Sequence, residues 1–221
     1  MSLTPQKVCN LDCIYCQLGK TTSRVHVRSE YADIDEILKE LNSWVADNPK
    51  EAAALDYITL SGAGEPTLNS RLGELIGGLK KVSAAKIAVI TNSSLMTDAD
   101  VRAELKDADL IIPSLDAADP ETFARIDRPD PNISLKEVID GLASLKKEFS
   151  GRVWLEIMLI RGVNDSPEHI SELKEAVSRI KPDKIQLNSP VRTTAEPGIM
   201  PVDRIRLEEI RKALGAKCEI I

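Results

Sequence analysis

The sequence of 221 residues predicts an α/β fold, an open six-stranded parallel β/α barrel. Two observations predict it. Short apolar segments typical of buried strands alternate along the chain with segments whose apolar residues recur at three- and four-residue steps, the period of an amphipathic helix. Six such strand–helix units follow one another, too few for the eight of a closed barrel, which leaves an open three-quarter barrel.

The predicted units run from end to end without a break. An apolar segment over residues 2–8 is the first predicted strand, and the helix over 33–45 shows the clearest stripe, with Ile34, Leu38, Leu41 and Val45 at helical spacing. The other predicted strands are 56–60, 86–90, 109–115, 153–160 and 184–187, and the other predicted helices are 71–82, 98–106, 135–149, 167–180 and 202–214.

Helix start signals lie between several of these elements. Ser93 or Thr97 is a candidate N-cap for the helix that follows at 98, and Asp119 is a candidate N-cap before Pro120.

Composition indicates one soluble, cytoplasmic domain over residues 1–221. Hydrophobic residues make up 43% and charged residues 29% of the chain, with no membrane-length apolar run and no proline-rich linker. The net charge of -6 and the pI of about 5.1 do not indicate nucleic-acid binding. Three basic residues follow the segment with the three clustered cysteines, namely Lys20, Arg24 and Arg28, and Arg192 lies near the end of a later predicted strand. We interpret these four residues as a solvated surface. A nucleic-acid partner is possible in principle, but the net charge of -6 does not indicate one.

Three of the four cysteines lie within eight residues. Cys9, Cys13 and Cys16 form a C-x3-C-x2-C pattern, whereas Cys218 stands near the C-terminal end and is given no role. A cubane iron–sulfur cluster takes one thiolate per iron, so three cysteines leave one iron open to another ligand. Structural zinc is the alternative, but it needs four ligands and only His26 lies nearby as the fourth. A disulfide is less expected in a cytoplasmic protein.

Polar residues concentrate where predicted strands end, and the ends of parallel strands meet at one edge of a sheet. The second strand runs into Gly62, Ala63, Gly64, Glu65 and Pro66, where glycines allow close backbone approach and the proline restricts the turn. The later strands carry or precede Thr91, Asn92, Ser114, Asp116, Glu156 and Arg161. Taken singly, several of these residues could equally cap the following helices.

Together, the cysteine loop, the glycine segment and the strand order resemble the radical S-adenosylmethionine (SAM) superfamily. The resemblance implies a [4Fe-4S] cluster on Cys9, Cys13 and Cys16, with SAM bound to the open iron. It implies that residues 62–66 form the GGE-type motif that holds the amino group of SAM, with Ala63 in place of the first glycine. It also places Tyr15, the residue before the third cysteine, on the adenine side of SAM.

Other strand-end groups suit the remaining parts of SAM. The hydroxyl, amide and carboxylate groups of Thr91, Asn92, Ser114 and Asp116 suit its ribose and methionyl parts. Glu156 is expected to face the barrel interior, where a carboxylate needs a partner or ligand. Arg161 or Arg192 is expected to pair with the SAM carboxylate or an anionic substrate.

The implied reaction is radical chemistry in which no side chain need act as a general base. The reduced cluster donates one electron to the sulfonium of SAM, and the resulting 5'-deoxyadenosyl radical abstracts hydrogen from the substrate. An electron donor such as flavodoxin or ferredoxin is the implied partner. The substrate is unidentified, with nucleic acid and peptide or protein both open.

Within the superfamily, residues 5–9 and 13–19 look most like the group related to the wyosine-forming tRNA enzyme. That enzyme carries a second cluster on additional cysteines, for which this chain has none, and relatives have N- and C-terminal extensions that we expect this chain to lack. Two alternatives remain: an activase that makes a glycyl radical on a partner protein, and a non-catalytic iron–sulfur electron carrier.

Overall fold

A computed structural model describes residues 1–3 and 7–221. Six parallel strands form one open sheet in the order β1 to β6, with each strand beside its sequence neighbour. The strands are β1 (Tyr57–Leu60), β2 (Lys86–Thr91), β3 (Leu110–Pro113), β4 (Arg152–Met158), β5 (Lys184–Asn188) and β6 (Cys218–Ile220). The predicted α/β fold with an open, six-stranded parallel sheet is therefore confirmed.

The eight described α-helices connect these strands. They are α1 (Ile34–Asp47), α2 (Pro49–Ala53), α3 (Leu72–Val82), α4 (Ala99–Glu104), α5 (Pro120–Ile126), α6 (Leu135–Glu148), α7 (Pro167–Ile180) and α8 (Arg204–Leu214), with 3-10 turns at Pro66–Leu68 and Leu105–Asp107. One large apolar core joins the strands to the inner faces of the longer helices. None of the helices within the described residues is both long and apolar enough to cross a membrane.

The count of six strands is correct, but one of the six observed strands is not the one predicted. Residues 4–6 of the predicted first strand lie outside the described residues, and its two described ends make only isolated parallel bridges, Ser2 to Ser61 and Val8 to Gly64. The sixth strand is instead β6, which the sequence analysis missed. The strand β6 begins at Cys218, whose buried side chain packs in the main apolar core. Cys218 is far in sequence from the other three cysteines.

Helix capping explains several boundaries. Asp119 caps α5, as predicted, by accepting a hydrogen bond from the Thr122 N–H at 2.8 Å. Neither Ser93 nor Thr97 caps α4, because Asp98 does so through the Asp100 N–H at 2.8 Å. The helix α2 was not predicted, and α5 was predicted only through its N-cap, since each helix is short and carries few apolar residues.

Candidate functional site

The cysteine-bearing loop, residues 9–21, is held against the C-terminal end of α5. Its Asp12 and Ile14 N–H groups donate to the carbonyls of Asp127 and Ile126, each at 2.9 Å. Ile14, Ile126 and Ile160 also form a small buried apolar cluster apart from the main core. The loop therefore has a rigid support, which is what three metal ligands on one short segment require.

The three thiols fit an iron–sulfur cluster better than zinc. Cys9, Cys13 and Cys16 are unpaired and partly exposed. Burial raises the pKa of the Cys9 thiol to about 11, and burial together with the nearby Asp127 raises the pKa of Cys13 well above its ordinary value. These two thiols are therefore neutral without metal, and a bound cation would replace their protons.

The proposed fourth zinc ligand is occupied elsewhere. His26 is more than half exposed, and its Nδ1 lies 3.5 Å from a carboxylate oxygen of Asp130. Three soft sulfur donors without a fourth partner suit a cluster with one open iron.

Cys9 and Cys16 border a cavity of about 550 Å³ at the C-terminal edge of the sheet. The cavity brings together ten of the fifteen predicted site residues: Cys9, Cys16, Tyr15, Gly62, Gly64, Glu65, Thr91, Asn92, Ser114 and Glu156. The other five predicted residues are not among its described lining: Cys13, Ala63, Pro66, Asp116 and Arg161. Arg192, which the sequence offered as the alternative to Arg161, also lines the cavity, and residues that were not predicted complete the wall, including Lys7, Gln17, Leu18, Met158 and Asn188.

The glycine segment approaches the backbone just before the first cysteine. The Val8 N–H donates to the Ala63 carbonyl at 3.1 Å, and the Glu65 N–H donates to the Val8 carbonyl at 2.9 Å. A Cβ atom on Gly64 would lie 1.9 Å from the Val8 oxygen. A close approach that demands glycine therefore occurs at Gly64, one position after Ala63.

Glu65 is buried and its carboxylate is fully engaged within the chain. It accepts hydrogen bonds from the Thr67 N–H at 3.0 Å, the Thr67 and Thr91 hydroxyls at 2.6 Å each, and the Asn92 N–H at 2.7 Å. Burial raises its pKa, while these donors act in the opposite direction. A ligand at this edge would therefore meet the backbone of residues 61–64 more readily than the Glu65 carboxylate.

Tyr15 lines the cavity, and Asp116 supports it from beneath. The Tyr15 hydroxyl donates to one carboxylate oxygen of Asp116, and the Met158 N–H donates to the other at 2.8 Å. Burial raises the pKa of Asp116 to about 7. Asp116 thus positions the ring of Tyr15 and does not itself reach the cavity.

Two charged residues that were predicted for the site, Glu156 and Arg161, lie in different surroundings, and only Glu156 lines the cavity. Glu156 on β4 faces the cavity, where its Oε1 accepts a hydrogen bond from the Asn188 side-chain amide at 3.1 Å. Arg161 is exposed beyond the end of β4, and its backbone N–H donates to the Met200 carbonyl at 3.0 Å. Of the two predicted arginines, Arg192 is the one at the cavity.

Arg192 belongs to the segment between β5 and α8, residues 189–201, which lies over the cysteine loop. Its Nη1 donates to Gln17 Oε1 at 2.8 Å, and the Glu196 N–H donates to the Ile14 carbonyl at 3.0 Å. The Glu196 carboxylate also pairs with Arg128 at 2.7 Å and with Lys20 at 3.1 Å. This segment therefore connects the last part of the sheet to the cysteine loop.

Comparison with known proteins agrees with this geometry. A family model described as the radical SAM superfamily matches residues 3–173. A Brachyspira hyodysenteriae protein named GTPase Obg is 36% identical over 220 residues, which cover 100% of this chain and 32% of that protein. A UPF0026 protein of Synechocystis sp. is 38% identical over 184 residues, which cover 83% of this chain and 66% of that protein. The chain thus spans less than two thirds of either relative's length.

A solved structure of TYW1 with a lysine-pyruvate adduct bound superposes with a TM-score of 0.70 and 23% identity. The match covers 96% of this chain and 71% of that one, and it shows a shared fold that agrees with the predicted likeness. The family match covers most of the sequence and all three clustered cysteines. The chain therefore belongs to the radical SAM superfamily, whose cofactors are a [4Fe-4S] cluster and SAM.

Proposed function

We propose that this chain is a radical SAM enzyme that acts on a nucleic acid or a peptide or protein substrate. The observation that carries the proposal is the cavity itself, because Cys9 and Cys16 line the same cavity as the glycine segment and the polar ends of β2, β3 and β4. An electron carrier needs a cluster near the surface but no cavity of about 550 Å³ beside it.

In this proposal Cys9, Cys13 and Cys16 hold the cluster. When bound, the cluster and SAM would supply one-electron reductive cleavage of the sulfonium and radical abstraction of hydrogen from the substrate. The backbone at Gly62 and Gly64 and the side chains of Ser114 and Glu156 orient SAM, while the Tyr15 ring forms the adenine side. A flavodoxin or ferredoxin supplies the electron.

The substrate class is less constrained than the chemistry. Two of the four basic residues that could face a nucleic acid are paired within the chain, Arg28 with Glu104 at 2.6 Å and Lys20 with Glu196 at 3.1 Å. Arg192 is the one of the four that borders the cavity. It is also the group best placed to meet an anionic part of the substrate.

The test uses protein reconstituted with iron and sulfide without oxygen. We expect an EPR signal of the reduced cluster that changes when SAM is added, together with formation of 5'-deoxyadenosine. Cys9→Ala should lose the cluster, whereas Cys218→Ala, the matched control on β6, should keep wild-type iron content. If the cluster is present at full occupancy, its EPR spectrum does not change with SAM and no 5'-deoxyadenosine forms, the enzyme proposal is wrong and the electron-carrier alternative is favoured. Transfer of hydrogen from a partner protein's glycine would favour the activase alternative.

A further inference from the structure

A network of three side chains lies directly behind Cys9. Asn10 and Ser94 are buried, and the Asn10 amide donates to the Ser94 hydroxyl at 2.8 Å. Asn92 completes the network, with its Nδ2 2.9 Å from Asn10 Oδ1 and 3.5 Å from Cys9 Sγ. The network therefore ends on the sulfur of a cluster ligand.

The orientation of the Asn92 amide is determined by its neighbours. Its Oδ1 accepts from the Ser94 backbone N–H at 3.0 Å and from the Ser94 hydroxyl at 2.6 Å. A backbone N–H can only donate, so a flipped amide would place two donors against each other. The Nδ2 group must therefore face Asn10 and Cys9, and each of its two hydrogens has one acceptor there.

The main chain of Asn92 is held as firmly as its side chain. Its N–H donates to Glu65 Oε2 at 2.7 Å, and Glu65 is buried. The amide is thus positioned before any cofactor binds, and it has no hydrogen left for the SAM ribose. This arrangement assigns Asn92 a different role from the SAM contact expected from the sequence.

We propose that Asn92 is a positioning residue that tunes the cluster: its side-chain amide donates a hydrogen bond to the Cys9 thiolate and raises the reduction potential of the [4Fe-4S] cluster. The inference rests on the cluster assigned under the proposed function. A hydrogen bond to a cluster sulfur stabilises the more negative, reduced state more than the oxidised state, and such bonds help to set cluster potentials. Asn10 and Ser94 act through Asn92 by fixing its amide.

The test is an EPR-monitored redox titration, without SAM, of reconstituted wild-type protein and four variants, with iron measured for each. Asn92→Ala removes the donor. Asn92→Asp keeps the size and the oxygen that accepts from Ser94, but removes the donor and adds charge. Ser94→Ala loosens the amide while leaving it present. Asn188→Ala is the matched control, because it removes another amide of the same cavity that contacts Glu156 and no cysteine.

We expect the midpoint potential to become more negative in Asn92→Ala, more so in Asn92→Asp, and less so in Ser94→Ala, while Asn188→Ala stays at the wild-type value. A purely structural role would lower iron content without moving the potential of the cluster that remains. If Asn92→Ala fails to hold a cluster, Asn92→Asp and Ser94→Ala decide the matter.

An unchanged potential in the Asn92 and Ser94 variants at wild-type iron content would overturn this inference alone. A wild-type protein that takes up no cluster would overturn the proposed function, and this inference with it.

Discussion

Gly64 shows how a single residue sets the separation between the cysteine loop and the sheet. Its backbone packs on the Val8 carbonyl, one residue before Cys9, where the Glu65 N–H also bonds. A side chain at this position would push the two segments apart. Ala63 lies at the neighbouring position and already carries a Cβ atom, so the two positions provide a matched comparison.

We predict that Gly64→Ala destabilises the protein by several kcal/mol, on the order of the cost of a severe steric conflict in a packed region. Its Cβ atom would stand 1.9 Å from the Val8 oxygen, and the Glu65–Val8 hydrogen bond would be broken. Ala63→Gly is the control and should cost about 1 kcal/mol or less, chiefly through chain entropy. Chemical unfolding of the cluster-free proteins measures both; equal losses would contradict the proposed close approach.

The buried carboxyl group of Asp116 couples stability to pH. Burial raises its pKa to about 7 from an ordinary value of 3.8. Between these two values the folded protein retains a proton that the unfolded chain has released. The free energy of unfolding must therefore fall as the pH rises from about 4 to about 7, and it levels off at higher pH.

We predict that Asp116→Asn reduces this fall. An asparagine can still accept from the Met158 N–H and contact the Tyr15 hydroxyl, but it never ionises. Wild-type cluster-free protein should lose on the order of 3 kcal/mol more than the variant between about pH 5 and about pH 8, since each unit of pKa shift corresponds to about 1.4 kcal/mol. Denaturant titrations at the two pH values measure this difference, and parallel behaviour of the two proteins would refute it.

At the scale of elements, the 189–201 segment matters to the site because it contacts the cysteine loop. Glu196 makes three contacts with the parts that frame the cysteine loop: Arg128, Lys20 and the Ile14 carbonyl. Two of these contacts depend on the carboxylate charge, and the third is a backbone hydrogen bond. The side chain therefore adds to the hold on the loop without determining the path of the segment.

We predict that Glu196→Gln accelerates loss of the reconstituted cluster to an iron chelator several-fold, because the loop opens more often once its ion pairs are weakened. Glu208→Gln is the control, since it removes ion pairs to Arg204 and Arg211 on α8, away from the loop. The decay of the cluster's visible absorbance under anaerobic conditions gives the rates. Equal rates in the two variants would show that the Glu196 ion pairs do not retain the cluster.

The length of an element also decides whether its sequence period can predict it. The helix α1 was predicted because residues 33–45 carry a regular apolar stripe. The helix α5 and the strand β6 have seven and three residues, too few for a period to be recognised. Yet α5 supports the cysteine loop, and β6 closes the edge of the sheet beside β5. Short elements are stabilised by the contacts they make, which a local pattern does not contain.

For the molecule as a whole, the parallel order of six strands places groups that are distant in sequence around one cavity. Cys9, Glu65, Asn92, Glu156 and Arg192 come from five different parts of the chain and line the same space. Several of its polar groups already bond to each other, as Glu65 and Asn92 do. We therefore infer that these polar groups are held in place before SAM binds. Because they already bond to each other, they offer few free hydrogen bonds to SAM, and we infer that the cluster supplies much of the affinity for SAM.

We predict that cluster-free protein binds SAM at least about tenfold more weakly than reconstituted protein, which corresponds to the loss of about 1.4 kcal/mol or more. Equilibrium dialysis with labelled SAM measures both affinities. Arg161→Ala, at the exposed arginine outside the cavity, serves as a control that should bind like the wild-type protein in both states. Equal affinity with and without the cluster would show that the open iron contributes nothing to SAM binding.

The amino-acid sequence by itself determined the parallel α/β fold, the three-cysteine motif and about half of the cavity lining, because strand and helix periods and a three-cysteine loop are local patterns. Only the tertiary structure decided how those residues are used. It showed that Glu65 is engaged within the chain, that Asp116 supports Tyr15 from below, that Arg192 and not Arg161 reaches the cavity, and that Asn92 faces Cys9. These roles depend on which side chains meet across the sheet, and hydrogen-bond partners separated by dozens of residues leave no periodic signal in the chain.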